Sequence, residues 1–185
     1  MHLGHRKECR TCGDPTLIVF DIETDGLLHD VTKVHCIAIY DTETDETHVF
    51  NDEGPTEPIV RAITMLESAD RIAGHNIIGY DLPVLKKLYP FFEFNGDTVD
   101  TLVLSRLYHP NLLEIDKRRK WKHMPLQLYG RHSLEAYGYR LGEFKGEFAK
   151  TTDWKEWSEE MQEYCVQDTL VTTKLCNHFH RYLTG

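Results

Sequence analysis

Between Thr16 and Asn51 the chain carries three strand-like runs, residues 17–22, 33–40 and 46–51, separated by short polar turns. Strands spaced so closely can only pair as an antiparallel meander. The pattern then changes to a helical stretch from about Glu57 to Ser68, a short strand "RIAGHN", a helix from about Asp81 to Leu88, a short strand "DTVD" and, directly after it, a helix "TLVLSRLYH". A meander followed by alternating helices and strands puts antiparallel and parallel strands into one sheet with helices packed on it. The expected fold class is therefore α/β, with a mixed sheet flanked by helices. From Pro110 to Arg131 the periodicity fails, and a mobile loop is expected there. Two more helices follow, around Ser133–Tyr139 and from Ser158 to about Leu183. Ser158 is the expected N-cap of the second, with Glu159 and Glu160 favourable in its first turn.

The 185 residues, 41% of them hydrophobic, suffice for one well-buried core and are too few for two ordinary domains. Residues 1–15, "MHLGHRKECRTCGDP", have almost no apolar content and end in a Gly-Asp-Pro breaker, so they read as a tail on a domain spanning 16–185. Nothing resembles a membrane span or a signal peptide, and five cysteines without framework spacing suit a reducing compartment. A soluble, cytoplasmic monomer is expected, with Cys36, Cys165 and Cys176 as small buried hydrophobes. A net charge of −9 excludes a broad basic coat for duplex nucleic acid, but not a cleft in which bound cations offset the acids.

Three groups of carboxylates carry the chemistry. In "IVFDIETDGL", Asp21 and Glu23 lie two apart, so on a strand they share one face beyond an apolar run. Two adjacent anions there are either solvated in the turn "TDG" or neutralised by a cation, and oxygen-only ligands suit Mg²⁺ or Mn²⁺ better than zinc. In "GHNIIGYDLPVL", Asp81 stands at the start of a helix after a loop carrying His75 and Asn76. It either caps that helix or belongs to a site. In "YCVQD", Tyr164 and Asp168 share a helix face that continues the apolar spacing of Met161, Cys165, Leu175 and Phe179. Asp168 is then half buried, facing either a plain tyrosine hydrogen bond or a cation.

In their order, D-x-E on a first strand, N-x-x-x-Y-D at a loop-to-helix junction and Y-x-x-x-D on a late helix, these motifs resemble the tyrosine branch of the DEDD 3′-to-5′ exonuclease superfamily. "VTKVHCIAIYD", "DTLVLSRLYHPNL", "HSLEAYGYRLGEFKGEF" and "YCVQD" look like the proofreading domain of family A DNA polymerases of short-tailed phages. The similarity runs from about Leu17 to Leu183. It implies an RNase H-like fold and a site for two Mg²⁺ or Mn²⁺ ions held by Asp21, Glu23, Asp81 and Asp168, with Tyr164 orienting the attacking water. It also implies substrate contacts at Thr24, Leu27, His75 and Asn76, with Leu27 wedged against the 3′-terminal base. The Asn76–Asp81 spacing is one residue longer than in the cellular polymerase branch.

The implied ligands are single-stranded DNA or frayed 3′ ends, and the implied partner is a DNA polymerase lacking its own exonuclease domain. If the chain is phage-encoded, its compartment is the host cytoplasm. A ribonuclease uses the same carboxylates, and a non-catalytic nucleic-acid-binding or polymerase-anchoring module is the reading from another class. Two features lie outside the motifs. His2, His5, Cys9 and Cys12 either ligate a structural zinc or belong to a frayed tail. Lys117, Arg118, Arg119, Lys120 and Lys122 around Trp121 either guide a single strand or are a solvated charge run.

Overall fold

A computed structural model describes residues 16–143 and 154–183. The elements are β1 (Leu17–Thr24), β2 (Val34–Asp41), β3 (Glu46–Phe50), α1 (Ile59–Ser68), β4 (Arg71–Gly74), α2 (Asp81–Leu88), β5 (Asp97–Asp100), α3 (Thr101–Tyr108), α4 (Leu112–Arg119), α5 (Leu134–Leu141) and α6 (Glu159–Leu183). They form the expected mixed sheet, in the order β3-β2-β1-β4-β5. β1–β2 and β2–β3 pair antiparallel, while β1–β4 and β4–β5 pair parallel.

β1 is central and covered on both sides. Ile18, Phe20 and Ile22 point to one face, where with Ile37, Ile39 and Ile72 they meet Ile63 and Leu66 of α1 and Val84 and Leu85 of α2. The opposite face is lined by small residues, Cys36, Ala38 and Ala73, all fully buried, so the long helix α6 can lie close across β1 and β2. Cys165 packs on Cys36 and Ala38 there, and the Thr169 hydroxyl bonds back to the Cys165 carbonyl within the helix. Beyond the sheet, α6 buries Val171, Leu175 and Phe179 against Leu104 of α3, Leu112 of α4 and Tyr137 of α5. Ser158 caps α6 as expected, its Oγ accepting the Met161 N–H at 3.1 Å.

Local chemistry moved some boundaries. α1 starts at Ile59 rather than near Glu57, because Pro58 disfavours helical backbone in the residue before it, and Glu57 instead bridges to Phe50. β4 stops at Gly74, since Asn76 takes a left-handed φ of 68° and turns the chain away. A Cβ on Gly74 would lie 2.1 Å from the Ile77 side chain, so only glycine lets this turn fold against the strand end.

The expected loop over 110–131 is a correction. It contains α4 and a short 3₁₀ turn at Leu126–Leu128. Besides the apolar contacts of Leu112 and Ile115, what holds α4 is a buried charge. Asp116 is buried and accepts four hydrogen bonds, from Trp121 Nε1 (2.8 Å), the Gly130 N–H (2.8 Å) and Arg140 Nε and Nη2 (3.1 and 2.7 Å). Periodicity cannot register a helix organised in this way. Cys176 is half-buried rather than buried.

Candidate active site

The pairing of β1 explains why its carboxylates are accessible. On one side β2 accompanies the strand to its end, with Asp21 opposite Ala38 and Glu23 opposite Cys36. On the other, β4 leaves after Val19–Ala73, so the stretch carrying both acids projects past its neighbour. The space beyond the C-terminal ends of parallel strands is where α/β sheets collect ligands. Here it is filled by Asp81, at the start of α2, and by Asp168 and Tyr164 of α6.

The motif residues converge. Carboxylate oxygens of Asp21 and Glu23 lie within 4.8 Å of one another and of Cys165 Sγ. Burial, then Glu23, then Asp168 and Asp81, hold the Asp21 carboxyl well above the usual range. Burial and Asp168 do the same to Glu23. Burial raises Asp81 to about 7 against the pull of its own and the Ile22 backbone N–H. Burial likewise raises Asp168 to about 7, against the hydrogen bond it accepts from Tyr164. Burial and then the Asp168 charge push the Tyr164 phenol far up, so it keeps its proton at neutral pH. The Trp154 ring stands edge-on to Tyr164, with centroids 6.1 Å apart.

Four acids crowded together are costly as bare anions, and a divalent cation removes that cost. The donor set is hard oxygen, which suits Mg²⁺ or Mn²⁺. The neighbouring Cys165 thiol is engaged with the Asp21 carbonyl at 3.4 Å.

A pH dependence follows. Each acid has a folded pKa above its unfolded value, so the metal-free native state binds more protons than the unfolded chain and loses stability as pH rises. Half-buried His75, lowered to about 4, slopes the opposite way, so the site's share must be isolated by difference. In chelator, Asp168→Asn is expected to melt above the parent at pH 8. That gap should grow from the ordinary carboxylate value of 3.8 up to about 7 and then level off. Melting curves across pH check this, and a gap independent of pH would contradict the buried-anion account.

The four expected substrate contacts fare differently. Leu27 is 65% exposed, on a turn held rigidly from several sides. Asp25 accepts the Thr32 and Lys33 N–H groups, and Lys87 Nζ donates to the Leu28 and His29 carbonyls. Asn76 is exposed on the loop between β4 and α2. Thr24 is buried, and its hydroxyl meets Tyr80 and the Gly26 carbonyl, so its side chain shapes the Leu27 turn. His75 Nδ1 lies 2.9 Å from Thr101 Oγ1, and burial keeps the ring neutral. Its side chain therefore ties β4 to α3. Residues 1–15, with His2, His5, Cys9 and Cys12, lie outside the described residues.

Asp100 escaped the sequence reading. Buried at the end of β5, it accepts the Asn76 and Ile78 N–H groups at 3.0 and 3.1 Å and caps α3 through Leu102 and Val103. It thereby sets the shape of the loop leading to Asp81. Its position, as an acid ending one strand and preceding a helix, was the available signal.

Comparison with known proteins agrees with this fold. Two phage DNA-directed DNA polymerases are similar in sequence: that of Enterobacteria phage T3 is 38% identical and that of Escherichia phage T7 is 37% identical, each over 86% of this chain. The chain spans about a quarter, 26%, of their length. Among solved structures, Brucella melitensis NrnC shares the fold at a TM-score of 0.60 and 18% identity, over 91% of this chain and 73% of that one. Its form with bound Mg²⁺ gives 0.57 at 19% identity, with the same coverage. Another likeness, at a TM-score of 0.51 and 16% identity, covers 95% of this chain and 26% of the family B DNA polymerase of Pyrobaculum calidifontis. Residues 18–180, nearly the whole described domain, match the RNase_H superfamily family model, and the chain belongs to that superfamily.

Proposed function

We propose that this chain is a metal-dependent 3′-to-5′ exonuclease that hydrolyses DNA from free 3′ ends to nucleoside 5′-monophosphates and proofreads for a phage-type DNA polymerase. One observation carries the reading. Asp21, Glu23, Asp81 and Asp168 come together at the open end of the central strand, in a chain 37–38% identical to phage DNA polymerases. Asp21, Glu23 and Asp168 would hold one Mg²⁺ or Mn²⁺, and Asp21 with Asp81 a second. The Mg²⁺-bound form of the distant fold relative supports this choice of ion. When bound, such ions lower the pKa of a water and stabilise the departing 3′ oxygen.

The chain's own groups do the positioning. Tyr164, protonated and hydrogen-bonded to Asp168, directs the attacking water toward phosphorus. Leu27, exposed on its braced turn, stacks on the terminal base, and Asn76 faces the terminal nucleotide. No protein nucleophile is needed. The test is digestion of labelled single-stranded DNA and RNA of one sequence, with magnesium and with chelator. Stepwise release of 5′-monophosphates from the 3′ end, faster on DNA, is the expected result, and absence of product or internal cutting overturns the reading. Faster loss of RNA would instead favour the ribonuclease reading.

Tyr164→Phe should slow cleavage about 10- to 100-fold, as expected for one orienting hydrogen bond. Single-turnover rates check this, and a loss equal to that of a carboxylate would contradict the role. The polymerase partner is tested by pull-down from the native source. An acidic chain has little non-specific hold on duplex DNA, and tethering raises its concentration at a primer end. Recovery of active exonuclease with no polymerase bound would count against the proofreading role.

A further inference from the structure

Resting on the exonuclease reading for its substrate class, we propose that the C-terminal end of α4 and the residues after it form a second contact for a single-stranded polynucleotide, gripping its phosphates away from the carboxylates. Lys117, Arg118, Arg119, Lys120 and Lys122 are all exposed, and none forms an ion pair among the described residues. Five unneutralised cations within six positions, in a chain of net charge −9, are an anion-binding feature on an acidic background. The helix C-terminus favours the cations of its last turn, but that does not account for Lys120 and Lys122 beyond it.

The segment is also built to stay in place. Its base is the buried Asp116–Arg140 pair, with side chains 0% and 6% exposed, and Asp116 binds Trp121 directly. Lys120 holds a left-handed φ of 51° that turns the chain, and the Arg119 guanidinium lies 5.1 Å over the Trp121 ring. A merely solvated charge run needs no buried anchor. A guanidinium stacked on a partly exposed indole, flanked by lysines, suits a single strand, with cations for phosphates and a flat surface for bases.

The anchor continues toward the catalytic motifs. Arg140 lies 4.9 Å over the Tyr137 ring, and the Tyr137 hydroxyl meets Ser105 Oγ at 2.5 Å. Ser105 Oγ meets His132 Nδ1 at 2.6 Å, and the His132 backbone bonds His75 beside Asn76. The basic segment is thus held in a fixed relation to the loop that leads into Asp81.

The test replaces all five cations by glutamine, leaving Asp116, Trp121 and Arg140 in place. Binding of a fluorescent 20-nucleotide DNA strand is measured by anisotropy in chelator, from 50 mM to 500 mM salt. The variant should bind at least tenfold more weakly at 50 mM. Its log–log salt slope should be shallower by about 1.4 to 3.5, the equivalent of roughly two to five phosphates at about 0.7 each. At 500 mM the two proteins should converge, because screening removes the electrostatic part, whereas a damaged fold would stay weaker at every salt concentration. If the fivefold variant does not fold, Lys117→Gln and Lys122→Gln singly should each reduce the slope. An unchanged slope, or no strand binding by the parent at 50 mM, overturns the proposal. A parent that binds through this segment yet cleaves nothing with magnesium would sustain it and remove the exonuclease reading instead.

Discussion

Asp21→Ala or Asp168→Ala is expected to lower the rate of 3′-nucleotide release by about a thousandfold or more, with the fold intact. Each removes a carboxylate from a cluster of four, and a thousandfold corresponds to about 4 kcal/mol of transition-state stabilisation. Folding should survive because neither acid contributes apolar packing, and each is held at raised proton affinity by burial among like charges. Removing one relieves repulsion in the metal-free state. Single-turnover digestion beside melting curves separates the two effects, and activity within tenfold of the parent would end the two-metal assignment. Raising magnesium should restore only a small part of the Asp21→Ala loss, since mass action can refill a weakened site but cannot restore the position that the missing carboxylate imposes on the ion.

Arg140→Ala is expected to cost about 3–5 kcal/mol of stability, because it leaves the Asp116 carboxylate buried without its bidentate partner. At about 2–4 °C per kcal/mol for a chain of this size, the midpoint should fall by about 6–20 °C. The sign with pH also follows. Burial raises Asp116, but the Arg140, Gly130 and Trp121 hydrogen bonds outweigh it and hold the carboxyl below its usual range. This stabilisation is therefore present above the ordinary carboxylate value and is lost as pH falls through the lower folded one. The double variant Asp116→Leu/Arg140→Met should recover most of the loss, since an apolar pair needs no desolvation of charge. Equal stability of Arg140→Ala and the parent in denaturant titrations would show that the pair carries no weight.

The sequence by itself determined the central strand, the order of the elements apart from α4 and the 3₁₀ turn, and the local placement of three of the four clustered acids. Alternation put Asp21 beside Glu23, helical spacing put Tyr164 over Asp168, and Ser158 declared the start of α6, because each depends on neighbours within four residues. Tertiary structure decided the rest. Whether Asp81 caps a helix or joins a cluster depends on β4 ending early beside β1, which no local pattern records. Asp100 shapes the second motif from 22 to 24 residues away. α4 stands on an ion pair between residues 24 apart in the chain. Thr24 looks like a substrate contact in its motif, but its hydroxyl is taken by the Gly26 carbonyl and by Tyr80, 56 residues on. Buried polar groups must find partners wherever the fold supplies them, so their roles are settled only once distant segments have been brought together.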